Sequence, residues 1–127
     1  MEDFAGHDRP TRPSGAGQPR DYREFWPLYV GQHAAPLTRL LHMAGTILGV
    51  AALLAALAIG SWWFVLAAPV VSYGLAWSAH FFVERNRPAT FAHPLWSLRA
   101  DFEMCARMLS GRMHREVARV RSAGPPR

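Results

Sequence analysis

Between Arg39 and Glu84 the chain has no aspartate, glutamate, lysine or arginine, so residues 40–83 form one uncharged run. Only His42 and His80 interrupt it with groups that titrate near neutrality. A helix needs about 20 apolar residues to cross the hydrocarbon of a bilayer. The run is too long for one such helix and suits two joined by a short turn. Gly60-Ser61 is the turn signal, and Trp62-Trp63 directly after it favour a membrane–water interface. The pattern predicts spans over about 37–59 and about 62–83. Pro36 is a favoured first-turn residue for the first span, and Pro69 is expected to kink or locally break the second. A soluble core helix is the alternative, but no amphipathic rhythm interrupts the run.

Charge supports the membrane reading. All 14 basic side chains are arginines, and the net charge is +5. They flank the apolar run on both sides. Basic flanks can bind nucleic acid, but beside such a run they mark the cytoplasmic face and touch anionic lipid. No nucleic-acid partner is expected. With a short turn between antiparallel spans, both flanks and both termini face the cytoplasm, and the Gly60–Trp63 tip faces out. A bacterial inner membrane is the expected location. Cys105 stands alone, which excludes an intrachain disulfide and a cysteine-based zinc cluster.

Residues 1–20 are polar and rich in Pro, Gly and Arg, and are expected to form a disordered tail without a signal peptide. Residues 21–110 form a single membrane domain. Asp21 and Glu24 have the spacing of a helix N-cap, and Phe25, Trp26 and Tyr29 follow in a short helix placed at headgroup level and ended by Gly31. Over about 94–110, Leu98, Phe102, Cys105 and Leu109 recur at helical spacing, which predicts an amphipathic helix with those residues on its apolar face. Residues 111–127 are a basic tail, into which Met113–Val120 can extend the helix. The fold class is therefore an all-α membrane protein. It comprises a transmembrane helical hairpin, a short N-terminal interfacial helix and a C-terminal amphipathic helix. Gly45, Gly49, Ala52 and Ala56, three or four residues apart, give the first span a smooth face for close helix contact.

The histidines carry the chemistry. His42 and His80 lie almost equally far from the turn, roughly 28 Å at about 1.5 Å per residue. They should sit level at the cytoplasmic edge of the hydrocarbon. His33, in the connection before the first span, can reach that level, and Glu84 shares a helix face with His80. Ionisable residues inside a membrane are costly and usually functional. Two or three imidazoles with a carboxylate suit zinc or non-haem iron. The plain alternative is that His42 and His80 hydrogen-bond each other or anchor the interface. His93 can join from its loop, whereas His7 and His114 lie in polar segments and read as solvated.

Three blocks also resemble a known family. The first is Phe25-Trp26-Pro27-Leu28-Tyr29 with His33, Arg39-Leu40-Leu41-His42 and Gly45-Thr46. The second, and most specific, is Trp77-Ser78-Ala79-His80-Phe81-Phe82-Val83-Glu84-Arg85-Asn86-Arg87-Pro88-Ala89-Thr90-Phe91. The third is Pro94-Leu95-Trp96-Ser97-Leu98 with Asp101. Together they resemble the family of the fungal 2-hydroxy-fatty-acid dioxygenase of phytosphingosine breakdown, formerly a domain of unknown function. This chain looks like a short, bacterial-type member. The resemblance implies an iron(II)-dependent membrane enzyme that uses O2 to shorten a 2-hydroxy fatty acid by one carbon. It implies iron ligation by His33, His42 and His80, with His93 as a further candidate; Glu84 is a candidate ligand or supporting acceptor on helix spacing alone.

On that reading Fe(2+) is the cofactor, the partners are a 2-hydroxy fatty acid, O2 and membrane lipid, and the acyl chain lies along the hairpin. Arg85 or Arg87 either pairs with the substrate carboxylate or serves as a topology charge. Two other readings stand beside it. His42 and His80 on antiparallel helices can clamp a b-type haem for electron transfer. Alternatively, the protein is a non-enzymatic membrane adaptor that docks through its amphipathic helix.

Overall fold

The computed structural model describes residues 17–124. The expected tail over residues 1–20 therefore lies mostly outside the described residues, as does His7. The described residues are helical, with no strand among them: α1 Tyr22–Gln32, α2 Pro36–Ile59, α3 Trp63–Ser78, α4 Pro94–Leu109 and α5 Met113–Ala123. A π-helical turn, Ala79–Glu84, continues α3, and a single 3-10 turn, Ala89–Phe91, precedes α4.

The long helices α2 and α3 follow directly from the uncharged run. Pro36 starts α2, and Gly60 ends it in the left-handed conformation (φ 70°), with its N–H donating to the Ala56 carbonyl. Trp62 and Trp63 stack at the tip, 4.0 Å between ring centres. The two helices then run antiparallel and touch along small residues. A Cβ on Gly45 would lie 2.9 Å from the Ser72 carbonyl oxygen, and one on Gly49 would lie 2.1 Å from Ser72 Oγ. The Ser72 hydroxyl donates to the Gly45 carbonyl at 2.8 Å. Of the four small residues expected on this face, Gly45 and Gly49 form the buried contact, while Ala52 and Ala56 are only partly covered. Pro69 sits inside α3 without ending it.

Large apolar side chains point the other way. Leu57 is 83% exposed and Val70 71%. α2, and α3 together with its π-helical turn, are long and apolar enough to cross a membrane, yet only 17% and 22% of their apolar windows are buried. A helix at the centre of a soluble core would be covered by protein on most of its surface.

The remaining helices form a small polar-faced cap at the open end of the pair. Here two expectations are corrected. Phe25, Trp26, Tyr29 and Val30 of α1 do not form an exposed aromatic face: they are the core of the cap, packed with Ala100 and Met104 of α4 and Met113 and Val117 of α5. The buried face of α4 is Ser97, Ala100, Met104 and Cys105, whereas Leu98, Phe102 and Leu109 face outward. The bulky aromatics of α1 pack against Ala100 and the unbranched Met104, whose flexible side chain fits around rings. Leu98, Phe102 and Leu109 are left on the outside.

The basic segment is also more than a tail. Gly111 (φ 69°) turns the chain, and α5 folds back onto α1. Trp26 Nε1 donates to Glu116 at 2.8 Å, and Glu116 also bonds Arg107 and Arg119. Only Met113, Val117 and Val120 are apolar at helical spacing in α5, a signal weak enough to be hidden by its arginines.

The close contact of α2 with α3 is testable. Gly45→Ala gains about 1 kcal/mol of helix propensity but drives a methyl into backbone that no rotamer change can move. A net loss of about 1–2 kcal/mol is expected, in the range of other overpacked sites. Gly74→Ala, where nothing lies within 4 Å, should be neutral or slightly stabilising. Thermal unfolding of the two variants in detergent should separate them.

Candidate metal centre

Three histidines arrive from three different segments. His33 closes α1, where its N–H bonds the Val30 carbonyl at 3.1 Å. His42 lies in the second turn of α2, and His80 lies in the π-helical turn. All three are buried, at 0%, 5% and 2% exposure. Their rings stand almost mutually perpendicular, at 80°, 84° and 89°. His33 Nε2 lies 3.1 Å from His42 Nε2, which lies 3.2 Å from His80 Nε2.

The partners of the outer nitrogens set the tautomers. His33 Nδ1 lies 2.6 Å from the Tyr29 carbonyl, which can only accept. His42 Nδ1 lies 3.0 Å from the Asp101 carboxylate. His80 Nδ1 lies 2.7 Å from Asn86 Oδ1, and Asn86 Nδ2 donates to the Gln32 carbonyl at 3.1 Å, which orients the amide. Each Nδ1 therefore carries the hydrogen, and each Nε2 presents a lone pair. A hydrogen bond between two of these Nε2 atoms would require one ring to take a second proton and become charged.

Three lone pairs facing one another are what a cation needs. Metal–imidazole bonds of about 2.0–2.1 Å place two nitrogens about 2.8–3.0 Å apart at a right angle and about 3.3–3.4 Å apart at a tetrahedral angle. The observed separations fall between these values. Among the described residues His33, His42 and His80 form a group that could hold a metal ion. The hydrogen-bonded partner on every outer nitrogen is the arrangement that orients metal-binding histidines.

The surroundings reinforce it. Burial, and next the neighbouring His42, push the His33 pKa well below its ordinary 6.5, so the ring stays neutral. Burial, and next the Asp101 charge, hold the Tyr29 phenol well above its ordinary pKa. Its hydroxyl donates to Asp101, and its ring stacks on His33 with centres 4.0 Å apart. Arg39 donates to the carbonyls of His33 and Ala34, both at 2.8 Å, and pins the loop that carries His33.

The other expected site residues stand apart from the cluster. Glu84 accepts from the Ala35 N–H at 2.7 Å and so caps the start of α2. His93 precedes α4, stacks on Trp96 and meets the edge of Phe25. Arg85 is exposed and takes a left-handed conformation (φ 53°) at the end of the π turn. The Arg87 guanidinium lies over Phe91, 5.4 Å from the ring centre. His114 is exposed on α5.

Tyr29, Asn86 and Asp101 were not singled out by spacing. Tyr29 reads as one of several aromatics, Asn86 as part of a polar loop, and Asp101 as the polar side of an amphipathic helix. All three do fall inside the blocks that carry the family resemblance.

A groove of about 270 Å³ runs between α2, α3 and α4, with Thr46, Val50, Leu53, Tyr73, Phe102 and Asp101 among its lining residues. Asp101 thus faces both the groove and His42.

Fold and site together define a small all-helical protein with two membrane-length apolar helices and a buried trihistidine cluster at their open end. Residues 19–113 match the family described as "2-hydroxy-palmitic acid dioxygenase Mpo1-like", and the chain belongs to that Mpo1-like family. No curated protein and no solved structure matches the chain.

Two outcomes are expected. Asp101→Asn leaves His42 without a charged acceptor and should weaken cobalt(II) or zinc binding about 10–100-fold, measured by chelator competition. The metal-free protein should lose stability as pH falls below 6.5. The unfolded chain protonates His33 there before the folded one does, so stability rises with pH across that window. Melting temperatures across that range check it, and His33→Gln should flatten the slope.

Proposed function

We propose that the protein is a membrane-embedded, iron(II)-dependent dioxygenase that shortens 2-hydroxy fatty acids by one carbon. The observation that carries this reading is the tautomer-locked cluster of His33, His42 and His80 in a chain of the Mpo1-like family. One turnover balances as 2-hydroxy acid plus O2 giving the acid one carbon shorter, CO2 and water. The carbon that bears the hydroxyl is oxidised, its bond to the carboxylate carbon breaks, and O2 is reduced. Iron(II) held by three neutral imidazoles would supply electrons and open positions for this chemistry.

The chain's own residues set up the rest. Asp101, Asn86 and the Tyr29 carbonyl aim the three rings, and the cap of α1, α4 and α5 covers the cluster and excludes water. Arg85 and Arg87 leave from the loop that follows His80, where each is available to a carboxylate or to lipid headgroups. In the membrane α2 and α3 span the bilayer, and the arginine-rich segments lie on the cytoplasmic side. Outward-facing Leu95, Leu98 and Leu109 of α4 then enter the interface.

The trihistidine geometry disfavours haem. A macrocycle clamped by two imidazoles needs them on opposite faces of a plane. Rings that meet edge-on with nitrogens 3.1 and 3.2 Å apart leave no slot for one.

Anaerobic purification, metal analysis and assay with 2-hydroxypalmitate test the proposal. The expected result is one iron per chain, the fatty acid one carbon shorter, and equal amounts of O2 consumed and CO2 released. His33→Ala, His42→Ala and His80→Ala should each lose iron and turnover, while His93→Ala retains both. Absence of both iron and shortened product would sink the reading, and a Soret band would replace it with electron transfer.

A further inference from the structure

We propose that the groove between α2, α3 and α4 holds the substrate's acyl chain, and that Leu53, at its far end, limits the chain length accepted. This rests on the proposed reaction for the identity of the ligand, but its geometry stands separately. The groove begins directly beneath the histidines. Thr46 lies one helical turn beyond His42 on α2, Ala76 lies one turn before His80 on α3, and Asp101 touches His42 itself. A chain in the groove therefore has its polar end at the cluster.

The depth is set on both helices independently. Leu53 lies three turns beyond His42, and Pro69 lies three turns before His80. At about 1.5 Å per residue each is roughly 16 Å from its histidine. The two helices thus line the groove to the same depth.

The lining suits a saturated chain. Gly49, Ala68 and Ala76 form a floor of small residues, and Val50, Leu53, Leu98 and Phe102 supply apolar walls. The Ser72 hydroxyl at the floor is already donated to the Gly45 carbonyl. A methylene chain there leaves it satisfied. Phe102 and Leu98 project from the outward face of α4. That explains why α4 keeps large apolar residues on a face that does not pack in the cap: they wall the groove at its upper end.

Two measurements on the full chain in lipid nanodiscs decide the matter. In the first, kcat/KM is compared for 2-hydroxypalmitate and a 2-hydroxy acid shorter by several carbons. Leu53→Trp should lower the ratio roughly tenfold, the effect of excluding about two methylenes. Leu57→Trp, on an outward-facing position 83% exposed, should leave it unchanged.

In the second, a 2-hydroxy fatty acid with a photoreactive tail is cross-linked to the protein without O2. Labels should fall on Leu53, Pro69 and the groove-lining residues Val50 and Tyr73, and unlabelled 2-hydroxypalmitate should compete them away. Turnover with an unchanged ratio in Leu53→Trp overturns the groove and leaves the reaction standing. Competable labelling in the groove without turnover upholds the groove and removes the reaction. Labelling spread over Leu57 and Val70 and insensitive to competitor shows bulk lipid contact only and overturns the proposal.

Discussion

The structure turns on the hydrogen bonds made by three outer imidazole nitrogens. Each Nδ1 finds an acceptor on a different segment: the Tyr29 carbonyl on α1, Asp101 on α4, and Asn86 in the loop after the π turn. Those contacts force three Nε2 lone pairs to face one another. Two of the supports also tie the cap to the apolar pair: Asp101 of α4 holds His42 of α2, and the Asn86 amide that holds His80 donates to Gln32 of α1. A buried polar cluster of this kind is costly unless every member is satisfied. Here the outer nitrogens are satisfied by protein, and the inner ones point at a common centre.

Local backbone geometry serves that arrangement. The π-helical turn Ala79–Glu84 widens the end of the second apolar helix, and such turns are frequent at functional sites. The Arg85 and Asn86 N–H groups both return to the His80 carbonyl, with Arg85 in the left-handed region. This brings Asn86 back over the ring of the histidine six residues before it. On the other side, Glu84 caps the start of α2, so the same short segment fixes His80 and the entry to the helix that bears His42. Glu84 is an attractive ligand by spacing, but here its carboxylate serves the backbone.

The apolar pair contributes a scaffold that is inside-out by the standard of a soluble domain. Small residues meet between the helices, and leucines, valines and tryptophans face outward. Close approach along Gly45 and Gly49 brings α2 and α3 near enough for His42 and His80 to touch. The same small residues leave space beside α4 for the groove. Packing, the meeting of the histidines and the groove therefore share one cause.

Much of this was legible in the residues alone. A run without charge that is too long for one membrane-length helix, with a Gly-Ser turn signal at its middle, reads as two helices and a turn. Equal distances from that turn place His42 and His80 at one level whatever the details of packing. What the residues alone did not determine was which groups surround the cluster. Tyr29, Asn86 and Asp101 are far apart in the chain and individually ordinary, and only tertiary packing gives them a common partner. Packing likewise decided that the aromatics of α1 form a core, that α4 turns Ala100 and Met104 inward, and that the helix at the basic end is a separate one folded back onto α1. Periodicity shows that a helix has a preferred face, but not which neighbour is bulky enough to claim it.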